Sequence, residues 1–433
     1  MHFSKLMTAF LLAFGFLNAS SSMAQATPPT QQEKLVDPCS PQANGPRRQL
    51  RVVLYPFIPE YKAAEELVKR EFEASHPKTE LVLVDLASNY YASGDNYVGS
   101  ACADIYELDS VFLAEFVQNH KIKELPDEVL LPQGDLLTNA DHGSRVDGKR
   151  YGAAHWVCRD FLFFKKDEKP VHPNTLSALK AFIGPKHEPD SGLLIDLKGK
   201  STLGELYLLS AYDTYHDWSV VEPKTQVFDK SLERGLLDLK NLCDARFCRD
   251  QILHEVTGIY GQEFARKRGK ALVGYSELLH SVLLESQQCG KTCLSDAEIE
   301  VDDFNISDSP SSPVSWVDSF TVSTHCEDSC WADAADFIRM MNSDEMYMKL
   351  LLPSSALSFE KAPTPPIPVP AYLLPAKSSL YSNKLLLSQA HLYPRLRSLV
   401  ENAAVPSASQ LNEHLRKIGA TIDADLETIQ PPH

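Results

Sequence analysis

The chain has 433 residues, 43% of them hydrophobic and 23% charged, with 58 acidic against 42 basic side chains and a formal net charge of -16. That length exceeds what one hydrophobic core usually serves, so two domains are expected. The acidic balance argues against a nucleic-acid partner, whose phosphates would be repelled, and suits a cationic ligand, although it serves the solubility of an exported protein equally well.

The amino terminus predicts a removed signal peptide over 1–24. Lys5 precedes an apolar stretch, 6–17, too short to span a bilayer, and Ser22, Met23 and Ala24 form a small-x-small cleavage signal. An anchor helix is the competing reading, but the polar residues 18–22 interrupt it. No later segment offers about eighteen consecutive apolar residues, so the expectation is a secreted or periplasmic chain with no membrane partner. Residues 25–47, with a Pro/Gln-rich tract at 27–32, are expected as a disordered lead-in, and the Pro-rich 362–370 as an interdomain connection.

Residues 50–55 form a β-branched and aliphatic run that ends at Pro56, the first expected strand. Residues 61–75 carry Ala64, Leu67, Val68 and Phe72 at helical spacing, and His76 and Pro77 stop that helix. Strands follow at 80–86 and 104–109, the latter running into Ser110, which predicts an N-cap for a helix over 111–119. Strands alternating with helices indicate a parallel sheet, and ligands of such sheets sit beyond the carboxyl ends of the strands, where Tyr55, Phe57 and Asp109 fall. Further on, 146–152 is a turn leading into a strand, 161–167 is an apolar strand, and 271–274 is another.

Nine cysteines in an exported chain favour disulfides, and an odd count leaves at least one thiol unpaired. Cys243 with Cys248, Cys289 with Cys293, and Cys326 with Cys330 are close enough in sequence for local disulfides; Cys39 and Cys102 can then pair, which leaves Cys158. Connectivity stays open at this stage. His325 beside Cys326 is a lone histidine and gives a zinc site little support, so no metal is expected.

The aspartate-bearing strand and helix over 104–119, the Gly-Lys-x-Tyr-Gly turn at 148–152 and the Phe-x4-Gly-Lys-Ala element at 264–271 together resemble the type II extracellular solute-binding proteins. That resemblance implies an α/β fold of two lobes, mainly parallel sheets flanked by helices, with a cleft between them. The chain crosses between lobes more than once in such folds, so lobe 1 is expected over 48–152 plus 317–361 and lobe 2 over 153–316 plus 362–433.

Within that fold the chain resembles bacterial thiaminase I, also called thiamine pyridinylase. The resemblance rests on Leu-Tyr-Pro-Phe-Ile-Pro at 54–59, Leu-Asp-Ser-Val-Phe-Leu at 108–113, Tyr-Gly-Ala-Ala-His-Trp-Val-Cys at 151–158, Val-Gly-Tyr-Ser-Glu at 273–277, Val-Asp at 317–318 and Tyr-Leu-Leu-Pro-Ala at 372–376. It implies Cys158 as nucleophile and Glu277 as general base, with Tyr55, Asp109, Tyr275 and Asp318 binding substrate and the two aspartates holding an aminopyrimidine. Phe57 and Trp316 stand where the family pattern has tyrosines, and a further family tyrosine corresponds to Tyr90 or Tyr91. The implied substrates are thiamine and a nucleophilic base, an amine or a thiol, with no cofactor and a monomeric chain.

The residue types fit that chemistry. A thiolate is the attacking species, so a carboxylate able to accept the thiol proton is useful beside it. A thiazolium cation can lie against the faces of Tyr55 and Trp316. Without the resemblance, Cys158 reads equally as a buried strand cysteine, Glu277 as a solvated strand-end carboxylate and Asp109 as part of a helix start. A carrier that only delivers thiamine or a related heterocycle is the alternative function, and it would need neither Cys158 nor Glu277. Proteolysis is disfavoured: Val-Gly-Tyr-Ser-Glu lacks the second glycine of a nucleophile elbow, and no papain-like signature surrounds Cys158.

Overall fold

A computed structural model describes residues 47–86, 89–92, 97–166, 173–184, 191–243, 247–254, 256, 258–309, 313–357 and 368–428. The expected signal peptide, nearly all of the lead-in and most of the Pro-rich tract lie outside the described residues. Among the described residues, no helix is long and apolar enough to cross a membrane.

Twelve strands are described: β1 Arg48–Val53, β2 Thr79–Leu83, β3 Ile105–Asp109, β4 Arg145–Val146, β5 Lys149–Arg150, β6 Ala153–Cys158, β7 Phe161–Lys165, β8 Leu193–Leu194, β9 Ala271–Gly274, β10 Ile299–Asp303, β11 Trp316–Val322 and β12 Leu374–Pro375. Apart from the β4–β5 hairpin, they form a six-stranded sheet in the order β12-β6-β11-β3-β1-β2 and a four-stranded sheet in the order β10-β7-β9-β8. Strand β1 pairs parallel with β2 and β3, while β11 runs antiparallel to both β3 and β6. It follows that β1, β2, β3 and β6 all point one way, as the parallel expectation requires. The sheet is nevertheless mixed, because β11 and β12 run against them.

The helix expected over 61–75 spans Tyr61–Ser75 and buries Ala64, Leu67, Val68 and Phe72. Burying side chains of that size contributes roughly 1.5–3 kcal/mol each for the larger ones, which fixes this helix over the sheet core of Leu50, Val52, Leu81 and Ile105. Strand β1 starts and ends two residues earlier than expected, so Tyr55 and Phe57 lie beyond its carboxyl end. The helix after β3 spans Ser110–Gln118, and its N-cap is Asp109 rather than Ser110: the Asp109 side chain accepts from the Val111 amide at 2.9 Å.

The link between the two sheets is short. Strand β6 ends at Cys158, Arg159 and Asp160 follow, and β7 begins at Phe161. Phe161 is in register with Gly274 at the end of β9 and with Asp303 at the end of β10. Both sheets therefore bring the carboxyl ends of co-directional strands to the place where the chain passes from one to the other. Arg159 is buried at that crossing, donating to an Asp303 carboxylate oxygen at 3.0 Å and to the Leu399 carbonyl at 2.5 Å.

The pairs Cys243–Cys248, Cys289–Cys293 and Cys326–Cys330 are disulfides, as their spacing predicts. Cys102 is also disulfide-bonded, and Cys39, the partner expected for it, lies outside the described residues. Among the described residues, Glu285, Cys289 and Cys293 bring three potential metal-ligating atoms within 4.8 Å of one another, but two of these are the joined sulfurs.

Candidate functional site

Cys158 is the free cysteine of the described residues and is half-buried. As the last residue of β6 it stands opposite Trp316, the first of β11, and its thiol donates a weak bond to the Trp316 carbonyl at 4.0 Å. Two residues along β11, Asp318 is in register with Asp109 at the end of β3. One sheet edge thus carries the thiol and two buried carboxyls.

These two carboxyls differ in their bonding. Asp109 accepts from the Val111 amide, from the Ser110 hydroxyl at 3.3 Å and from the Tyr91 hydroxyl at 2.5 Å. Asp318 is only 2% exposed, and its Oδ1 has no hydrogen-bond partner among the described residues. Burial raises both groups above the usual carboxylate range, and the charge of Asp109 pushes Asp318 further. Two adjacent buried carboxyls cannot both ionise readily, which favours a proton on one of them. Such a pair can offer both a donor and an acceptor to a polar ligand.

Glu277 follows β9 after Tyr275 and Ser276 and occupies the N-cap position of helix Leu278–Cys289. Burial raises its carboxyl to about 7, with the Asp160 charge adding to the shift. The Cys158 thiol is pushed well above its ordinary value, first by burial and then by the charges of Asp318, Asp109, Glu277 and Glu205. The acidic surroundings therefore keep the thiol protonated until something takes its proton or a cation offsets the charge.

An aromatic wall stands beside the carboxyls. The Tyr91 hydroxyl donates to that of Tyr55 at 3.2 Å, and the Tyr91 ring stacks between Phe57 and Phe112. Phe57 is exposed at the outer end of this stack. Tyr90 differs from its neighbour: it is fully buried, and its hydroxyl is occupied by the Glu107 carbonyl and the Asp109 amide, both at 2.9 Å. Of the two tyrosines that the sequence left as alternatives, Tyr91 is the one whose hydroxyl reaches the Asp109 carboxylate. Behind the wall, Glu107 accepts from the Tyr55 amide at 2.9 Å and lies 2.6 Å from His155 Nδ1, which holds the Tyr55 backbone in place.

Arg159, Asp160, Glu205, Leu209, Val314 and Trp316 line a small recess. Glu205 accepts a short hydrogen bond from the Tyr275 hydroxyl, and burial raises its carboxyl to about 8. Burial likewise raises Asp160 to about 6. Sequence reasoning missed Glu205 because it sits mid-helix in Lys200–Tyr215, where a glutamate reads as a solvated face. Asp160 was legible only through its place two residues after Cys158.

No family model matches the chain. A thiaminase-1 from Paenibacillus thiaminolyticus is 27% identical over 240 residues, which cover 53% of this chain and 56% of that protein. The chain is similar to thiaminase I. The aligned part spans little more than half of that relative. Among solved structures, Clostridium botulinum thiaminase I in complex with thiamin superposes with a TM-score of 0.71 at 20% identity, over 87% of this chain and 100% of that one. The acarbose-binding GacH receptor of Streptomyces glaucescens gives 0.63 at 16% identity, over 89% of this chain and 94% of that one. At these identities the structural likeness speaks for the fold, which is that of the type II periplasmic binding proteins.

Proposed function

We propose that the chain is a thiaminase I-like transferase that displaces the thiazole of thiamine with an amine or thiol base. The observation that carries this reading is the free Cys158 thiol, held at the sheet edge in the field of Glu277, Asp109 and Asp318 while seven other cysteines are in disulfides. In the proposed sequence, the thiamine cation offsets the acidic cluster, and Glu277 takes the proton of Cys158. The thiolate adds to the electron-poor pyrimidine ring, whose nitrogen and exocyclic amine are bonded by Asp109 and Asp318. The bond from the methylene carbon to the thiazolium nitrogen then breaks, its electron pair leaving with the thiazole. The base attacks the same methylene, and the thiolate departs.

Tyr55, Tyr91, Phe57 and Trp316 would supply aromatic faces to the cation, each contact worth roughly 0.5–2 kcal/mol. The two sheets would belong to the two lobes; β6 and β12, which the expected bounds 153–316 plus 362–433 put in lobe 2, pair into the six-stranded sheet and would move to lobe 1. Export of a monomeric chain remains part of the proposal.

Two observations favour the alternative of a carrier for thiamine or a related heterocycle: burial pushes the Cys158 thiol well above its ordinary value, and the fold is shared with binding proteins. Incubation with thiamine and pyridine distinguishes the two. Transfer predicts free thiazole from the unaltered protein and none from Cys158→Ser, which should still bind thiamine. Binding without thiazole release by either protein supports the carrier, and equal release by both removes Cys158 as nucleophile.

A further inference from the structure

We propose that the recess between Glu205, Asp160 and Trp316 receives the incoming base, and that Glu205 accepts the proton which a protic base must lose. This rests on the transferase reading above and adds to it the second substrate's place and a residue that serves only some of its members.

Position supports the assignment. Trp316 lines the recess and is the register partner of Cys158, while Asp160 lies two residues beyond the thiol at the crossing between sheets. The charge of Glu205 also reaches the Cys158 thiol. Glu277 is not among its lining residues, which leaves the recess a carboxyl of its own.

Glu205 is also held firmly. Its helix, Lys200–Tyr215, packs against helix Leu411–Thr428 through two glycines: a Cβ on Gly204 would strike the Leu415 carbonyl, and one on Gly419 would strike that of Lys200. The hydroxyl of Tyr275 fixes one carboxylate oxygen. Arg159 also lines the recess, with its Nη1 donating to Asp303 and to the Leu399 carbonyl and its Nε to the Asp160 carbonyl. A recess lined by two carboxyls and an indole suits a flat, electron-rich base, such as an aromatic amine.

The proton balance separates two kinds of base. Aniline attacks the methylene carbon with its nitrogen lone pair, and the new C–N bond leaves a positive nitrogen that still carries hydrogen. One of those protons passes to the Glu205 carboxylate, giving a neutral secondary amine. Pyridine forms the same bond but has no N–H to lose, and its product stays cationic. A carboxyl raised by burial to about 8 is a stronger base than an ordinary glutamate once ionised, which suits it to this transfer.

The test compares both bases on the unaltered protein and on Glu205→Gln, following thiazole release and the exchanged product. The expected result is a fall of about 100-fold in the ratio of the aniline kcat to the pyridine kcat. The pyridine reaction doubles as the control for folding and for Cys158 activation. Equal losses with both bases, or no loss with either, would overturn the assignment. If the unaltered protein exchanges neither base, the transferase reading itself fails and takes this inference with it; exchange by the unaltered protein combined with either of the first two results sinks the inference alone.

Discussion

At the scale of single residues, the site is a thiol made unreactive by its own acids. Burial first, with the neighbouring carboxyls adding to it, raises Cys158 well above its ordinary value, so activity should follow the ionisation of the group that takes its proton. Glu277, raised by burial to about 7, acts as a base only when ionised. The kcat/KM for thiamine should therefore rise about tenfold per pH unit below 7 and level off above it. Glu277→Gln should lose this limb and roughly 10²–10⁴ in kcat. An unchanged pH limb in that variant would assign the base elsewhere. Asp318 gives an independent check. Its Oδ1 is buried and unpartnered, opposite Asp109. Asp318→Asn removes one of two repelling groups at little change in volume, so Tm at pH 8 should rise. Thiamine affinity, measured calorimetrically in a Cys158→Ser background, should fall by roughly tenfold or more, as expected for a lost hydrogen bond to a charged group worth about 1.5–3 kcal/mol. Affinity left intact would mean that Asp318 does not touch the pyrimidine.

Among elements, close contact between β6 and β11 sets the distance from thiol to carboxyls. Gly152 precedes β6, and a Cβ placed there would come within 2.5 Å of the Ser319 Cβ, at the irregularity in β11 between Asp318 and Ser319. Gly152→Ala should cost about 1–3 kcal/mol of stability through overpacking and, by shifting Ser319, raise the KM for thiamine more than it lowers kcat. A variant with unaltered Tm and KM would show that the sheet yields there without moving Asp318. This contact also marks the limit of what the sequence discloses. Local patterns sufficed for helix Tyr61–Ser75, for β9 and for the three short disulfides, because period and spacing are local properties. The insertion of β11 between β3 and β6 pairs residues separated by more than 150 positions, and no periodicity reports such a pairing. Asp109 as the N-cap in place of Ser110 is a one-residue matter that side-chain geometry decides. Cys158, Glu277, Asp109 and Asp318 were legible through a family resemblance; Glu205 was not, since its importance comes from burial alone.

On the scale of the whole molecule, the half-buried acids of the site couple stability to pH. Asp160 is raised to about 6, Glu277 to about 7 and Glu205 to about 8, in each case chiefly by burial. A carboxyl with a folded-state pKa above its unfolded one binds its proton more tightly in the folded chain. Its stabilising contribution is complete below the unfolded value and is lost as pH rises through the folded value. Asp229 works in the opposite sense: the Lys224 ammonium lowers it to about 2, and the stability it contributes is lost only in acid. The empty protein should consequently be most stable near pH 5, with Tm falling steadily between about pH 5 and 8.5. A bound cation reverses the sign of the acids' contribution, because ionised carboxylates then face a positive charge in place of one another. Thiamine should raise Tm more at pH 8 than at pH 5, by an amount that grows with ligand concentration. Thermal melts of the Cys158→Ser protein across this range, with and without thiamine, read both effects without turnover. A Tm that is flat or rising from pH 5 to 8 in the empty protein, or a ligand shift larger in acid, would mean that these carboxyls are not the half-buried, charge-starved groups on which cation capture depends.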